Sequence, residues 1–283
     1  MMPTATILIL IVTGVATLIA FRRPDLKERW IFDPGGILLH RQYARMLTGG
    51  FIHADWTHFI FNAFSFFSFA RNIELVYGAK TLLVVYFSSI LGGSLLSLVI
   101  HRHHEYRALG ASGGVCGIIF ASIFLLPGNS IMLFPLPVGV PAYIYAVLFL
   151  VFSFVAHRRQ RDNIGHDAHL GGAMVGLLAA TALYPALIFA APWMFTAVIG
   201  LSAVILLILI YDPGHLLEHH LNITSHRAGG RRAREYDENR ERNEKRSEID
   251  RLLDKVAQKG MGGLSRSEKK KLDELSKEVY GRK

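Results

Sequence analysis

A serine and a histidine that could together perform nucleophilic chemistry lie in otherwise apolar parts of the sequence. Ser112 is the centre of the sequence GASGG, and His169 stands in the sequence AHLGGAMVG. A serine hydroxyl is too weakly acidic to attack a carbonyl group without a base, and a neutral imidazole can serve as that base. Polar groups are costly in long apolar segments, so they are functional candidates there. The pair predicts a nucleophile, Ser112, and its general base, His169.

Three further polar residues lie near the start of the apolar segment 53–70. His58 and Asn62 are four residues apart, so on a helix they share one face. His53 lies about 140° away around the same helix axis and nearer the start of the helix. We therefore expect His58 and Asn62 to point into one cavity.

Glycines with a spacing of four follow both candidate catalytic residues: Gly113, Gly117, Gly172 and Gly176. Faces of small residues allow two helices to pack backbone to backbone. This contact would bring Ser112 beside His169. A helix that begins at Ser112 would also offer free amides to an oxyanion formed there.

Asp167 precedes His169 by two residues and is a candidate third catalytic member. Residues two apart on a helix face nearly opposite ways. We predict instead that Asp167 caps the N-terminus of its helix, and that the catalytic unit is a dyad.

Seven apolar segments must position these residues. Of the 283 residues, 51% are hydrophobic, and the mean hydropathy is +0.32, which is too apolar for an ordinary water-soluble domain. A membrane-spanning helix needs roughly 20 apolar residues. The segments near that length are 4–21, 53–70, 81–100, 111–126, 141–156, 168–184 and 193–211. The sequence predicts an all-α, polytopic transmembrane helix bundle, whose first segment is a retained span because it has no cleavage site.

The apolar segments stop near Tyr211, and a charged tail follows. We predict a membrane-embedded domain at 1–211, a charged linker at 212–246 and a soluble helical hairpin at 247–283. Ser247 would begin the first helix of the hairpin and Gly260 would end it. Ser265 and Glu268 would form a capping box for the second. The residues expected on the inner face of the first helix are Ile249, Leu252, Leu253 and Val256.

At these residues the chain resembles the rhomboid family of intramembrane serine proteases. HADWTHFIFN matches the family pattern His-x4-His-x3-Asn, GASGG is similar to its Gly-x-Ser-Gly, and AHLGGAMVG is similar to its Ala-His-x2-Gly. The three motifs occur in the family's order, and the resemblance covers about residues 4–190. It implies a six-helix core, and the last apolar segment is similar to the seventh span of the six-plus-one subgroup.

The resemblance also implies roles for the residues. Ser112 attacks a carbonyl group in or next to a substrate's transmembrane segment, and His169 carries the proton, without metal or organic cofactor. The residues that the resemblance places around the oxyanion are His58, Asn62, His53 and Gly110. Arg45 and Glu74 match further family positions. Ala44 replaces a tryptophan of the family, and Cys116 stands where many relatives have an aromatic ring beneath the histidine.

Two other functional classes compete with this interpretation. A rhomboid-like pseudoprotease would bind membrane clients without cutting them, although such relatives usually lack the serine or the histidine. A metal transporter or metalloprotease would use the sequence HRHHE at 101–105, although no His-Glu-x2-His motif occurs. No nucleic-acid module and no phosphate-binding glycine loop occurs either.

The expected partners are the lipid bilayer and transmembrane protein substrates, in the bacterial inner membrane. The first, third and fifth loops between the apolar segments carry most of the fixed positive charge. Short loops rich in Lys and Arg tend to stay in the cytoplasm. The mouth of the site opens on that same side, so the charge favours a cytoplasmic mouth. Many bacterial relatives have the opposite arrangement, in which the mouth of the site faces outward, so both orientations stay open. The tail hairpin either pairs only with itself, which we favour, or binds a protein partner.

Overall fold

The computed structural model divides the chain into two compact units, Met1–Leu217 and Glu218–Lys283. The residues described are 2–102, 106–128, 130–132, 139–159, 165–190, 192–210, 241–242, 245–246, 248–249, 251–257 and 260–280. Most of the predicted linker 212–246, and Ser247, lie outside them.

Helices build the first unit, which confirms the predicted all-α architecture. They are α1 (Thr4–Arg22), α2 (Pro24–Trp30), α3 (Pro34–His40), α4 (Arg45–Thr48), α5 (Trp56–His101), α6 (Ser112–Leu125), α7 (Ala142–Arg159), α8 (His166–Leu183) and α9 (Pro192–Ile210), with 3₁₀ turns at Gly49–Phe51 and Pro185–Ala190. An antiparallel ribbon of β1 (Ser130–Met132) and β2 (Gly139–Pro141) precedes α7 and was not predicted.

Helix α5 is a hairpin of two arms. Gly78 has φ 84° and ψ 162° inside it, a backbone conformation that side chains with a Cβ rarely adopt. The rings of Phe66 and Tyr86 lie only 4.9 Å apart, whereas twenty residues of straight helix would span about 30 Å. The chain therefore doubles back at Gly78, and the two arms correspond to two of the predicted apolar segments.

The surface of α1 is that of a helix in a lipid solvent. Leu8, Ile11 and Val15 are 61%, 57% and 51% exposed, whereas Thr13 and Thr17 are buried. Large apolar side chains face outward and polar ones face the protein, the reverse of a helix in water. By length and hydropathy, Thr4–Arg22 and Trp56–His101 could cross a membrane, and the shorter apolar helices are Ser112–Leu125, Ala142–Val151 and Phe195–Ile205.

Helices α5, α6 and α8 make the centre of this unit. Every residue of α6 from Gly113 to Leu125 is buried, so the helix has neighbours on all sides. A helix that is apolar all round lies either in lipid or in a protein core, and here other parts of the protein surround α6. Helix α6 is thereby held inside the protein from the residue that follows Ser112.

The second unit contains an antiparallel pair of helical segments. Residues 251–257 are helical, and α10 (Arg266–Tyr280) follows a 3₁₀ turn at Met261–Gly263. The ion pairs between the segments are Lys245 with Glu278, Lys271 with Glu248, and Lys255 with Glu268. The residue numbers of the partners rise along the first segment and fall along the second, so the two segments run antiparallel.

The predicted capping box of the second helix is confirmed. Glu268 accepts from the Ser265 amide at 2.8 Å, and Ser265 Oγ accepts from the Glu268 amide at 3.2 Å. Ile249 and Leu252 are buried, but Leu253 is 49% exposed. The prediction that Leu253 belongs to the inner face was wrong, because it lies about 100° around the helix from Leu252.

Candidate active site

Polar contacts fix the backbone segment that leads into α6. Ala108 pairs with Phe32 through two backbone hydrogen bonds of 2.9 and 3.2 Å, and the Gly110 amide donates to Gly49 O at 2.9 Å. Helix α6 then begins at Ser112. The position of the candidate nucleophile is therefore set by the first loop of the chain as well as by its own helix.

His53 lies before the helix in which it was predicted. Helix α5 begins at Trp56, and its N-cap is Asp55, whose carboxylate accepts from the His58 amide at 2.8 Å. The His53 ring is fully buried. Its Nδ1 lies 3.0 Å from Thr17 Oγ1, and its Nε2 accepts from the Ala111 amide at 3.3 Å.

Gly110 has a conformation and surroundings that exclude a side chain. Its φ is 131°, a region that L-residues with a Cβ rarely adopt. A methyl group there would lie 2.8 Å from His58 Cε1, 2.9 Å from His58 Nε2 and 3.8 Å from Ser112 Oγ. The His58 ring and the serine hydroxyl therefore border the same small volume.

Asn62 lies one helical turn after His58 and bonds back to it. Its Nδ2 donates to His58 O at 3.0 Å. Together with His53 and Ala111, Asn62 lines a cavity of about 10 Å³ between α1 and α5, room for about one water molecule.

The start of α8 lies against the start of α6. A methyl group on Gly113 would lie 3.2 Å from Ala168 O. Gly113 directly follows Ser112, and Ala168 directly precedes His169. The two candidate catalytic residues therefore stand at the same level of two helices in contact.

Two glycine pairs make this helix contact close. A methyl group on Gly172 would lie 2.6 Å from the carbonyl carbon of Gly113, and one on Gly176 would lie 2.7 Å from the carbonyl carbon of Gly117. Both distances are too short for a real side chain. The two backbones meet at these glycines, as the small-residue faces of a membrane helix pair do.

Sequence reasoning missed a second close contact of α8, with the C-terminal arm of α5. A methyl group on Gly171 would lie 2.7 Å from Gly92 O, and one on Gly93 would lie 2.6 Å from Ala168 O. Helix α8 is thus wedged between two glycine-lined neighbours. The adjacent glycines at 92–93 and 171–172 were the sequence signal for this contact. Two adjacent glycines give a helix small residues on two of its faces, so α8 can pack closely against two neighbours.

Asp167 is not the N-terminal cap of α8, contrary to the prediction. The N-cap is Gly165, and Asp167 lies in the first turn. Its carboxylate lies 3.2 Å from His101 Nε2 and accepts from Tyr106 OH at 3.4 Å. The Tyr106 ring stacks on the His101 ring with centroids 3.6 Å apart. This buried cluster joins the end of α5 to the start of α8, which pattern reasoning within one helix does not reveal.

An aromatic ring from α7 approaches the candidate base. The Phe149 ring lies 6.3 Å from the His169 ring, centroid to centroid. The His166 ring lies 5.7 Å from it, edge to face. Cys116, at the position where many relatives place the ring, is buried.

Arg45 organises the first loop. It is 5% exposed, and its Nη1 donates to the carbonyls of Glu28 and Ile31 at 2.7 and 2.8 Å. One guanidinium thus ties the loop to itself without a neighbouring tryptophan, since the residue at that position is Ala44, whose side chain makes no capping hydrogen bond to the short helix α4.

Glu74 holds the opposite end of the bundle. Its carboxylate accepts from the amides of Ala5 and Thr6 at 2.8 Å each and from Thr6 Oγ1 at 2.6 Å. These amides belong to the first turn of α1, which has no internal partners for them. The contact joins α1 to the first arm of α5.

Within the described part of the chain, no group of three His, Cys, Asp or Glu side chains could hold a metal ion. Three residues of the predicted histidine cluster, His103, His104 and Glu105, lie outside the described residues.

Comparison with known proteins decides the family. Residues 40–186 match the Rhomboid domain, which is 147 of the 283 residues and more than half of the chain. The chain belongs to the rhomboid family. Members of this family are integral membrane proteins, so lipid surrounds the exposed apolar faces described above.

Several curated relatives of this rhomboid are similar over the same region. Rhomboid protease GluP of Bacillus subtilis is 29% identical over 171 residues, 60% of this chain and 30% of that protein. Rhomboid protein 1, mitochondrial, of Saccharomyces cerevisiae is 27% identical over 162 residues, 54% and 47%. Rhomboid protease AarA of Providencia stuartii is 28% identical over 189 residues, 59% and 66%. The chain thus spans less than half the length of the first two relatives.

The tail of this rhomboid matches a second family. Residues 235–278 match a family of unknown function, DUF6576. The match covers residues 251–257 and all but the last two residues of α10.

Proposed function

We propose that this rhomboid is an intramembrane serine endopeptidase that cleaves peptide bonds in or next to transmembrane segments of membrane proteins. Two of its relatives are named rhomboid proteases. The observation that supports the proposal is the close approach of Gly113 to Ala168, because these two residues adjoin Ser112 and His169 along their helices.

In the proposed reaction Ser112 Oγ forms a bond to the carbonyl carbon while its proton passes to His169. The carbonyl oxygen becomes an oxyanion. His169 then gives the proton to the leaving amine as the C–N bond breaks, which leaves an acyl-enzyme. Water attacks the ester with His169 again as base, and the proton returns to Ser112 Oγ as the acid product leaves.

The oxyanion would be stabilised by donors at the start of α6 and on α5. The Ser112 amide is the first of its helix and has no partner in the preceding turn. The His58 ring borders the same volume as Ser112 Oγ. A primary amide nitrogen carries two protons, so Asn62 can hold the His58 carbonyl with one and offer the other to the oxyanion.

Purified protein in proteoliposomes and a reporter with a single transmembrane segment test the dyad. We expect Ser112→Ala and His169→Ala to abolish cleavage, because a nucleophile without its base, or a base without its nucleophile, leaves only weak residual catalysis. Two matched variants serve as controls. Ser122→Ala removes a buried hydroxyl of the same helix, and His40→Ala removes an exposed imidazole of the first loop.

The outcomes separate the two functional classes. Cleavage by wild type and both controls, but by neither dyad variant, supports the protease. Cleavage that survives in a dyad variant would falsify the dyad. A wild-type protein that binds the reporter and never cuts it would be the pseudoprotease, a binder of membrane clients.

We further propose seven membrane spans, in a bacterial inner membrane. The spans would be α1, the two arms of α5, α6, α7, α8 and α9, with six forming the rhomboid core. An odd number of spans puts the two chain ends on opposite sides. Reporter fusions at both ends test this, and ends found on the same side would refute the seven-span arrangement.

The tail is proposed to be a soluble helical hairpin at 247–283, joined by a charged linker at 212–246 to the membrane domain at 1–211. Its ion pairs link one helical segment to the other. Because these charges are paired within the hairpin, we favour a self-contained unit over a surface that needs a protein partner.

A further inference from the structure

A continuous chain of polar contacts joins α1 to the residue before the nucleophile. The Ala111 amide donates to His53 Nε2 at 3.3 Å, His53 Nδ1 lies 3.0 Å from Thr17 Oγ1, and Thr17 Oγ1 donates to Phe51 O at 3.4 Å. His53 and Thr17 are both fully buried. All three contacts are therefore shielded from bulk water.

The chemistry of the two ends fixes the tautomer of His53. A backbone amide can only donate, so Nε2 must be the unprotonated acceptor. A neutral imidazole then carries its proton on Nδ1, which donates to Thr17 Oγ1. The hydroxyl proton of Thr17 is left to donate to the Phe51 carbonyl. Each of the three donors in this series of hydrogen bonds then has one acceptor.

From this geometry we infer that His53 is a positioning residue, which accepts the Ala111 amide and thereby fixes the entry of the chain into α6, with Thr17 selecting the tautomer that can do so. The inference rests on the proposed function. It departs from the placement that the family resemblance implied for His53, among the residues that stabilise the oxyanion. A donor needs a proton on an available ring nitrogen, whereas Nε2 is occupied as an acceptor and Nδ1 faces Thr17.

The location of the contact explains why it would matter. Gly110 and Ala108 are held to the first loop by backbone hydrogen bonds, and Ala111 is the last residue before Ser112. Without the His53 contact, the buried Ala111 amide would lose its partner, next to the atom whose placement decides the reaction. Small errors in the placement of reacting groups cost large factors in rate.

Two threonines of α1 provide a matched pair of variants. Thr17→Val removes the hydroxyl that selects the tautomer and keeps the shape of the side chain. Thr6→Val makes the same change near the start of α1, at a fully buried threonine whose hydroxyl bonds to Glu74 at the opposite end of the bundle. In Thr17→Val we expect kcat to fall on the order of tenfold with KM unchanged, and in Thr6→Val we expect kcat within about twofold of wild type. Equal kcat in the two variants would overturn the inference.

Imidazole nitrogen NMR supplies a readout that needs no catalysis. In Ser112→Ala protein labelled with ¹⁵N histidine, the resonances lost in an added His53→Gln variant identify His53. We expect Nδ1 protonated and Nε2 unprotonated, and we expect Thr17→Val to disturb that pattern. A protonated Nε2 would instead mark His53 as a donor and overturn the inference.

The two failures can be told apart. If Ser112→Ala protein still cleaves, the proposed function fails, whatever the NMR spectrum shows. If cleavage needs Ser112 but the His53 spectrum shows the other tautomer, the protease stands and the positioning role falls.

Discussion

Gly172 is the most sensitive position in the contact that pairs the two catalytic helices. A Gly172→Ala methyl group would lie 2.6 Å from the carbonyl carbon and 3.0 Å from the Cα of Gly113, whereas ordinary contact begins at 3.4 Å. Both neighbours are backbone atoms and cannot rotate away. The carbonyl oxygen of Gly113 lies closer still to the added methyl group, so helices α6 and α8 must separate locally by more than 0.8 Å, the difference between 3.4 and 2.6 Å.

This separation acts directly on the Ser112–His169 pair. Ser112 precedes Gly113 by one residue, and His169 lies about one helical turn before Gly172. A misplacement of about 1 Å costs on the order of 10²-fold in rate, and overpacking costs about 1–3 kcal/mol of stability. We therefore expect kcat to fall by about two orders of magnitude, with a lower midpoint of thermal unfolding.

Reporter cleavage in proteoliposomes, normalised to the folded fraction, measures the effect. Gly200→Ala is the matched control, because Gly200 is a helical glycine of α9 with nothing within 4 Å of the added methyl group. That variant should keep its activity, since the change adds only helix propensity. A Gly172→Ala protein with wild-type kcat and an unchanged unfolding midpoint would refute the close packing of α6 and α8.

Three other outcomes follow from the described contacts. Arg45→Ala leaves two loop carbonyls without their donor and should cost about 2–4 kcal/mol of stability, seen as a lower unfolding midpoint than in the exposed control Arg71→Ala; equal midpoints would contradict this. Bonding to the Lys255 side chain lowers the pKa of Glu268 from 4.5 to about 2, so its contribution to the tail is present above the unfolded value and is lost as pH falls towards the folded one. Hydrogen-exchange protection of the first turn of α10 should fall over that range, and protection that stays constant would argue against the pairing. Deletion of residues 228–283 should leave cleavage in cells unchanged, whereas a clear loss would assign the tail a regulatory role.

The sequence predicted the elements of this protein more fully than their contacts. Apolar segments near the length of a membrane span predicted the helices, because lipid requires both apolar side chains and internally bonded backbone. The doubling back of α5 at Gly78 was implied only by two separate segments. The β1–β2 ribbon, too short to leave a periodic pattern, was not predicted at all.

Within the candidate site, residue types and their spacing identified the groups with the chemistry. Ser112, His169, His58 and Asn62 are polar residues in apolar segments, and the cost of burying a polar group marks each of them as a functional candidate. Their contacts came from the fold. The Asp167 carboxylate lies against the His101 ring and accepts from Tyr106 OH, on a different helix and a loop, instead of capping its own helix. A capping rule describes neighbours along the chain, whereas a buried carboxylate is stabilised by whichever donors the fold brings to it.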